Sequence, residues 1–302
     1  MEVESEVRIV ELRSNGPFDF AQGGLARGPV PTRTEMTADQ YLELVVGTHS
    51  VKCGAGSAAE RALVTLGPTI REWAGEALAG ISFSGSYAKG TAISLGTDVD
   101  LFVSLNDMNG ASMKDIYWGL HGFLKERGFH AAAGNVAVRV EWDGMKVDLV
   151  PGRRRCDGPT SRTEREKWGT PVGSEDHTLY RRKADSWMQT NVGEHIRLIA
   201  ESGRTAEIRA LKIWRARQGL EFPSFYLELT VLEALRGSRK KIAENVAAVL
   251  AYIGERLDDA VVVDPANSNN YVSEDMTKTE KQEVMAAARK AVAMKRWELV
   301  LW

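Results

Sequence analysis

Cysteine is scarce in this 302-residue chain. There are two, Cys53 and Cys156, and neither sits in a Cys-x-x-Cys pair. That excludes a disulfide framework and a thiolate zinc site. An excess of charge is missing as well. Lys and Arg number 39 against 41 Asp and Glu, a net charge of −2, so no global field exists for gripping long nucleic acid. No apolar run is long enough to cross a bilayer. Residues Met1 to Glu6 are acidic and lack the apolar core of a signal peptide. A cytoplasmic protein with no membrane attachment is therefore expected. Gly-Lys-Ser/Thr is absent, which excludes a Walker phosphate loop. There is no internal repeat and no low-complexity tract.

What remains is ordinary globular material, 43% hydrophobic and 26% charged. The length allows one large domain or two modest ones. Within it, Gly85-Ser86-Tyr87-Ala88-Lys89-Gly90-Thr91 is followed closely by Asp98-Val99-Asp100. Ile81-Ser82-Phe83 leads in and Leu101-Phe102-Val103 leads out. The order predicts strand, Gly-rich turn, then a strand carrying two carboxylates. Gly85 and Gly90 permit tight backbone geometry and close approach of a ligand, and exposed N–H groups in such a turn suit a phosphate.

Asp98 and Asp100 lie two residues apart, which on a strand places both on one face. Val99, Leu101 and Val103 then face a core. Adjacent carboxylates are costly unless a cation lies between them, and hard oxygen ligands suit Mg²⁺. A third carboxylate fits the same logic. Val136–Trp142 runs into Asp143-Gly144 and then Met145–Val150, a hairpin signal. Alternation turns Met145, Val147 and Leu149 to a core and Asp148 to the opposite face. Asp148 is expected to meet Asp98 and Asp100 across the sheet, and the three could hold two divalent ions for in-line displacement at phosphorus.

Elsewhere the pattern is mostly helical. Residues 1–36 read as a loose arm with a short strand over 7–12. Thr37–Gln40 reads as a capping box opening a helix, and Ala58 to Leu78 as a helical stretch interrupted or kinked at Pro68. Lys114 to Arg127 is amphipathic and stops at Gly128. Pro151 is expected to end the hairpin. Gly152 to Asp176 reads as a polar loop, where Arg153-Arg154-Arg155 could steer polyphosphate. His177 and His195 have no ligand-spaced partners and are read as structural. Helices follow from Asn191, over Thr205–Gln218 and Phe225–Leu235, along Ile242 to Leu257, and from a second capping box, Thr277–Glu280, towards Trp297. Trp187, Trp214 and Tyr226 are expected in the core, and Glu228 in a structural role.

Gly85-Ser86, Asp98/Asp100 and the later Asp148 together resemble the nucleotidyltransferase superfamily that includes DNA polymerase β. The second half narrows the resemblance. Leu211-Lys212-Ile213-Trp214, Pro223–Val231, Trp187–Asn191, Val263–Asn267 with Asn270, and the Val147–Pro151 ending are similar to 2′-5′-oligoadenylate synthetases and the bacterial cGAS/DncV-like nucleotidyltransferases (CD-NTases). The likeness spans roughly residues 37 to 295. It departs at Val192, where family members often carry proline.

The resemblance implies an α+β fold: a polymerase β-like mixed sheet with helices over 37–151, a helical lobe over 152–302, and an active site in the cleft between them. It implies a metal-dependent synthase of short cyclic or linear oligonucleotide second messengers from ATP or other NTPs, with release of pyrophosphate. Two Mg²⁺ or Mn²⁺ ions would be held by Asp98, Asp100 and Asp148. Gly85, Ser86, Lys212 and Ser224 would bind the donor triphosphate. Bacterial members serve in anti-phage (CBASS-type) signalling beside an effector protein; an RNA activator is possible, and a monomer is expected. Two rival readings are template-independent addition to RNA, as in CCA-adding enzymes and poly(A) polymerases, and a catalytically silent nucleotide-binding module.

Overall fold

The computed structural model describes residues 36–96, 98–155 and 176–302. The arm, all but Met36, and residues 156–175 of the 152–176 loop lie outside the described residues. Among those described, nine α-helices accompany a seven-stranded mixed sheet and a small two-stranded one.

The sheet runs in the order β1 (Leu78–Phe83), β2 (Val99–Leu105), β5 (Met145–Arg154), β4 (Val138–Trp142), β3 (Ala131–Ala133). β2 and β5 pair parallel, and the other pairings are antiparallel. Val99, Leu101, Val103, Val138, Val140, Val147 and Leu149 are fully buried on one face. Helices α2 (Ala58–Ala74) and α4 (Met113–Glu126) cover it with Leu66, Ile70, Ile116 and Leu120. The opposite face carries Asp100 and Asp148, with buried Phe102 two residues further along β2.

Helix α2 runs unbroken through Pro68. The carbonyl that proline leaves without a partner belongs to Val64, and Val64 is 69% exposed, so water can take the place of the lost bond. Pro151 does not end β5 either. It falls in the gap between the pairing to β4, which stops at Leu149, and the pairing to the next strand, β6 (Asp176–Arg181), which starts at Arg153. A free edge of this kind tolerates proline. β6 (Asp176–Arg181) and β7 (Ser186–Asn191) then add a hairpin that a mostly helical reading of this region did not foresee. Trp187 lies on β7 and is 63% exposed rather than in the core, whereas Trp214 and Tyr226 are fully buried as expected.

A second cluster of buried side chains gathers α5 (Val192–Ala200), α6 (Thr205–Gln218), α7 (Ser224–Ala234), α8 (Ile242–Arg256) and α9 (Lys278–Ala293). The packing does not divide at residue 151. Helix α1 (Ala38–Thr48) buries Tyr41, Leu42, Val45 and Val46 in this helical cluster, although it precedes the sheet in sequence. Tyr41 donates to the Leu301 carbonyl at 2.6 Å, and the Asp39 carboxylate accepts the backbone N–H of Ala243 in the first turn of α8. The capping boxes at Thr37/Gln40 and Thr277/Glu280 both form, and a third, Ser112/Asp115, opens α4.

A buried ion cluster joins the two packed bodies. Glu228 on α7 accepts from Lys89 at 2.9 Å, Thr91 at 2.8 Å and Lys212 at 2.6 Å. Lys212 also reaches the Thr91 hydroxyl at 2.9 Å. Lys89 and Thr91 belong to the turn after Gly85-Ser86, while Lys212 and Glu228 come from α6 and α7. Burial alone would raise the Glu228 pKa, but Lys89 and Lys212 more than reverse that and hold it at about 2. Burial lowers the pKa of the Lys212 ammonium against the pull of Glu228. Because the carboxyl titrates lower in the folded chain than in the unfolded one, its stabilisation is present above the ordinary glutamate range and is lost as pH falls towards 2. Glu228→Gln should lower stability at pH 7 by about 3 kcal/mol and remove this contribution to acid unfolding between about pH 4.5 and 2, as measured by denaturant titration across pH. Equal stability and an unchanged acid limb would contradict this role.

Candidate active site

The Asp143-Gly144 turn takes positive φ at both residues, 48° and 71°, as a tight two-residue hairpin requires. It therefore sets the register of β4 against β5 and puts Arg139 opposite Asp148. The parallel pairing of β2 with β5 puts Asp100 opposite Asp148 on the other side. One row thus crosses the sheet: Asp100, Asp148, Arg139, with neighbouring strands about 4.8 Å apart. Asp98 lies just before the first residue of β2 rather than within the strand. It still reaches the same place, because its carboxylate and that of Asp148 both contact the Arg139 guanidinium, at 3.1 Å and 2.7 Å.

Gly85 closes the other side of Asp100. Its φ is +55°, and a Cβ there would lie 1.8 Å from Asp100 Oδ2. Glycine is thus needed twice over, for the left-handed backbone and for the space. The Ser84 N–H donates to the Asp100 carbonyl at 2.9 Å, and the Thr91 N–H to the Ser86 carbonyl at 2.9 Å, so the turn is tied to β2 and to itself. Burial, together with Asp148 and Asp98, pushes the Asp100 carboxyl up to about 6 against the pull of Lys89 and Lys212.

Hard carboxylate oxygens are the donor set that Mg²⁺ or Mn²⁺ prefers, and a divalent ion would offset both the burial and the neighbouring carboxylates that raise the Asp100 pKa. On donor chemistry Asp98, Asp100 and Asp148 fit such ions. In the arrangement described, Asp148 turns both oxygens to Arg139, at 2.7 Å each. Among the described residues no group of three or more His, Cys, Asp or Glu stands in metal-holding geometry.

The remaining candidates fall differently. Ser86 is half-buried beside Gly85 in the one-turn helix α3 (Gly85–Ala88). Lys212 is 2% exposed, with its ammonium shared between Glu228 and Thr91. Ser224 is the first residue of α7 and makes no side-chain cap; its hydroxyl accepts from Arg215 at 3.0 Å. Arg153 lies at the far end of β5, opposite Leu105, and donates to the Ala111 carbonyl. That is five residues along the strand from Asp148, about 17 Å, so this arginine does not face the carboxylates. His177 meets Ser104 Oγ at 2.8 Å and His195 meets Asp264 at 2.6 Å.

Sequence reasoning missed Arg139, Lys89 and Thr91. For Arg139 the signal was present, since a two-residue Asp-Gly turn pairs it with Asp148. For Lys89 and Thr91 it was not, because their partners lie more than a hundred residues away. Gly85→Ala should destabilise the chain by about 1–3 kcal/mol through backbone strain alone and displace the Asp100 carboxylate. Loss of stability together with a changed Asp100 side-chain NMR signal is the expected result; a variant as stable as the parent would contradict the close packing.

Neither a family model nor a curated protein matches the sequence. Solved structures do match. Bradyrhizobium diazoefficiens CD-NTase CdnG in complex with GTP aligns with a TM-score of 0.67 at 14% identity, over 85% of this chain and 91% of that one. Elizabethkingia meningoseptica CdnE cyclic dinucleotide synthase with GTP and Apcpp aligns at 0.62 and 14%, over 85% and 99%. A cytoplasmic RNA terminal U-transferase aligns at 0.54 and 11%, over 84% and 92%. In its backbone architecture the chain has the fold of the CD-NTases, the polymerase β-like nucleotidyltransferase arrangement that its Gly-Ser and Asp-x-Asp motifs resemble.

Proposed function

We propose that the chain is a metal-dependent nucleotidyltransferase that joins nucleoside triphosphates into a short cyclic or linear oligonucleotide with release of pyrophosphate. The observation that carries this reading is the carboxylate row, with Asp100 beside Asp148 on parallel strands and Asp98 at the same guanidinium. The likeness to a structure described as a cyclic dinucleotide synthase supports the choice of product class.

Asp98, Asp100 and Asp148 would hold two divalent ions, which supply Lewis-acid polarisation of the phosphoryl oxygens and acidify the attacking hydroxyl. The chain's own groups do the rest. Asp148 accepts the proton as a ribose hydroxyl attacks the α-phosphorus in line. Gly85 and Ser86 hold the β- and γ-phosphates through backbone N–H and hydroxyl donors. Ser224 adds a hydroxyl from the helical lobe. Lys212 would contact the triphosphate only by giving up part of its hold on Glu228 and Thr91; otherwise its charge acts from within the cluster. The product would serve as a second messenger, read by an effector in defence signalling.

Terminal addition to RNA is the second reading, favoured by the likeness to the U-transferase. The near-balanced charge weighs against a chain that must grip a long RNA. A silent nucleotide-binding module is disfavoured because all three carboxylates are kept.

Incubation with each pair of NTPs and Mg²⁺ or Mn²⁺, followed by phosphatase and mass spectrometry, should yield a phosphatase-resistant oligonucleotide. Asp98→Ala and Asp148→Ala should each abolish it with the folded circular-dichroism spectrum retained. Undiminished product from both variants would refute the assignment, and extension of added tRNA in place of oligonucleotide would select the RNA reading.

A further inference from the structure

Arg139 has no place in the chemistry just described, yet it contacts two of the three carboxylates. Its Nε donates to Asp148 Oδ1 and its Nη2 to Asp148 Oδ2, both at 2.7 Å, in a two-pronged fork. The same Nη2 lies 3.1 Å from Asp98 Oδ2. Its position opposite Asp148 is set by backbone register. The side chain beyond is 42% exposed, and the described contacts of its guanidinium are these two carboxylates. A side chain held at its tip and partly exposed can leave without disturbing the core.

A guanidinium stays charged at every physiological pH. It therefore supplies positive charge where two carboxylates converge before any metal arrives, and a divalent ion entering between Asp98 and Asp148 must compete with it. We propose that Arg139 is the resident counter-cation of the carboxylate row: it gathers Asp98 and Asp148 in the metal-free protein, is exchanged for a divalent ion when the site loads, and so sets the metal affinity of the site. This rests on the reading of the row as a metal centre. The alternative geometry, in which Arg139 orients Asp148 as a ligand and stays in place, predicts the opposite sign.

The test uses the full chain and Mn²⁺ alone, with binding followed by calorimetry and by the electron paramagnetic resonance of free Mn²⁺. Arg139→Gln should bind Mn²⁺ about tenfold more tightly than wild type, the change expected when about 1.4 kcal/mol of competition is removed. It should also unfold at a lower temperature in EDTA, having lost its counter-charge. Arg139→Lys keeps the charge without the fork and should stay within about threefold of wild type. Equal or weaker Mn²⁺ binding by Arg139→Gln, where wild type does bind, would overturn this proposal and leave the metal centre standing. No Mn²⁺ binding by either protein would overturn both. Should Arg139→Gln not fold, the wild-type protein decides. The Arg139 Nε–H resonance, assigned by its absence from the lysine variant, should move to a solvent-exposed position as Mg²⁺ saturates. A resonance that stays put would overturn the exchange.

Discussion

Parallel pairing of β2 with β5 sets Asp100 beside Asp148, and most of what is unusual in the molecule answers that one juxtaposition. Two carboxylates side by side on strands about 4.8 Å apart repel one another, and burial sharpens the repulsion. The chain does not avoid the conflict. It surrounds it, with Arg139 on one flank and the turn that carries Lys89 on the other. Asp100 nevertheless retains a pKa pushed up to about 6. Such a local arrangement is unfavourable by itself and stable only through its surroundings.

The helical body is tied to this row through Glu228. Lys89 and Thr91 follow the Gly85 turn within a few residues, and both end on a carboxylate supplied by α7. Any shift of the helices against the sheet must therefore move the turn that packs on Asp100. The same coupling changes the meaning of Lys212. Its position on α6 matches the one from which the resemblance implies a contact to phosphate, but its ammonium is already committed to Glu228 and Thr91. Two ammonium groups share one carboxylate there.

Much of this was legible in the sequence, for identifiable reasons. Period-two alternation placed Val99, Leu101 and Val103 in the core and Asp100 on the other face. The Asp143-Gly144 turn located the hairpin and its register. Capping residues at Thr37 and Thr277 marked two helix starts. What was illegible depended on distance or on weak pattern. β6 and β7 carry too few regularly spaced apolar residues to read as strands. Helix α6 buries Glu207 and Lys212 along with Ile208, Leu211 and Trp214, so no polar face betrays where its lysine points. That α1 packs with helices far along the chain rather than with the sheet beside it follows from long-range contacts such as Tyr41 to Leu301, which no local pattern encodes.

We read Asp98, Asp100 and Asp148 as one cation-binding centre beside the Gly85 turn. Anomalous X-ray scattering from crystals grown with Mn²⁺ and a non-hydrolysable nucleoside triphosphate tests that assignment. Anomalous peaks are expected within coordination distance of all three carboxylates, with the triphosphate lying against Gly85 and Ser86. Nucleotide bound elsewhere, or Mn²⁺ absent from the row while nucleotide occupies the cleft, would contradict it.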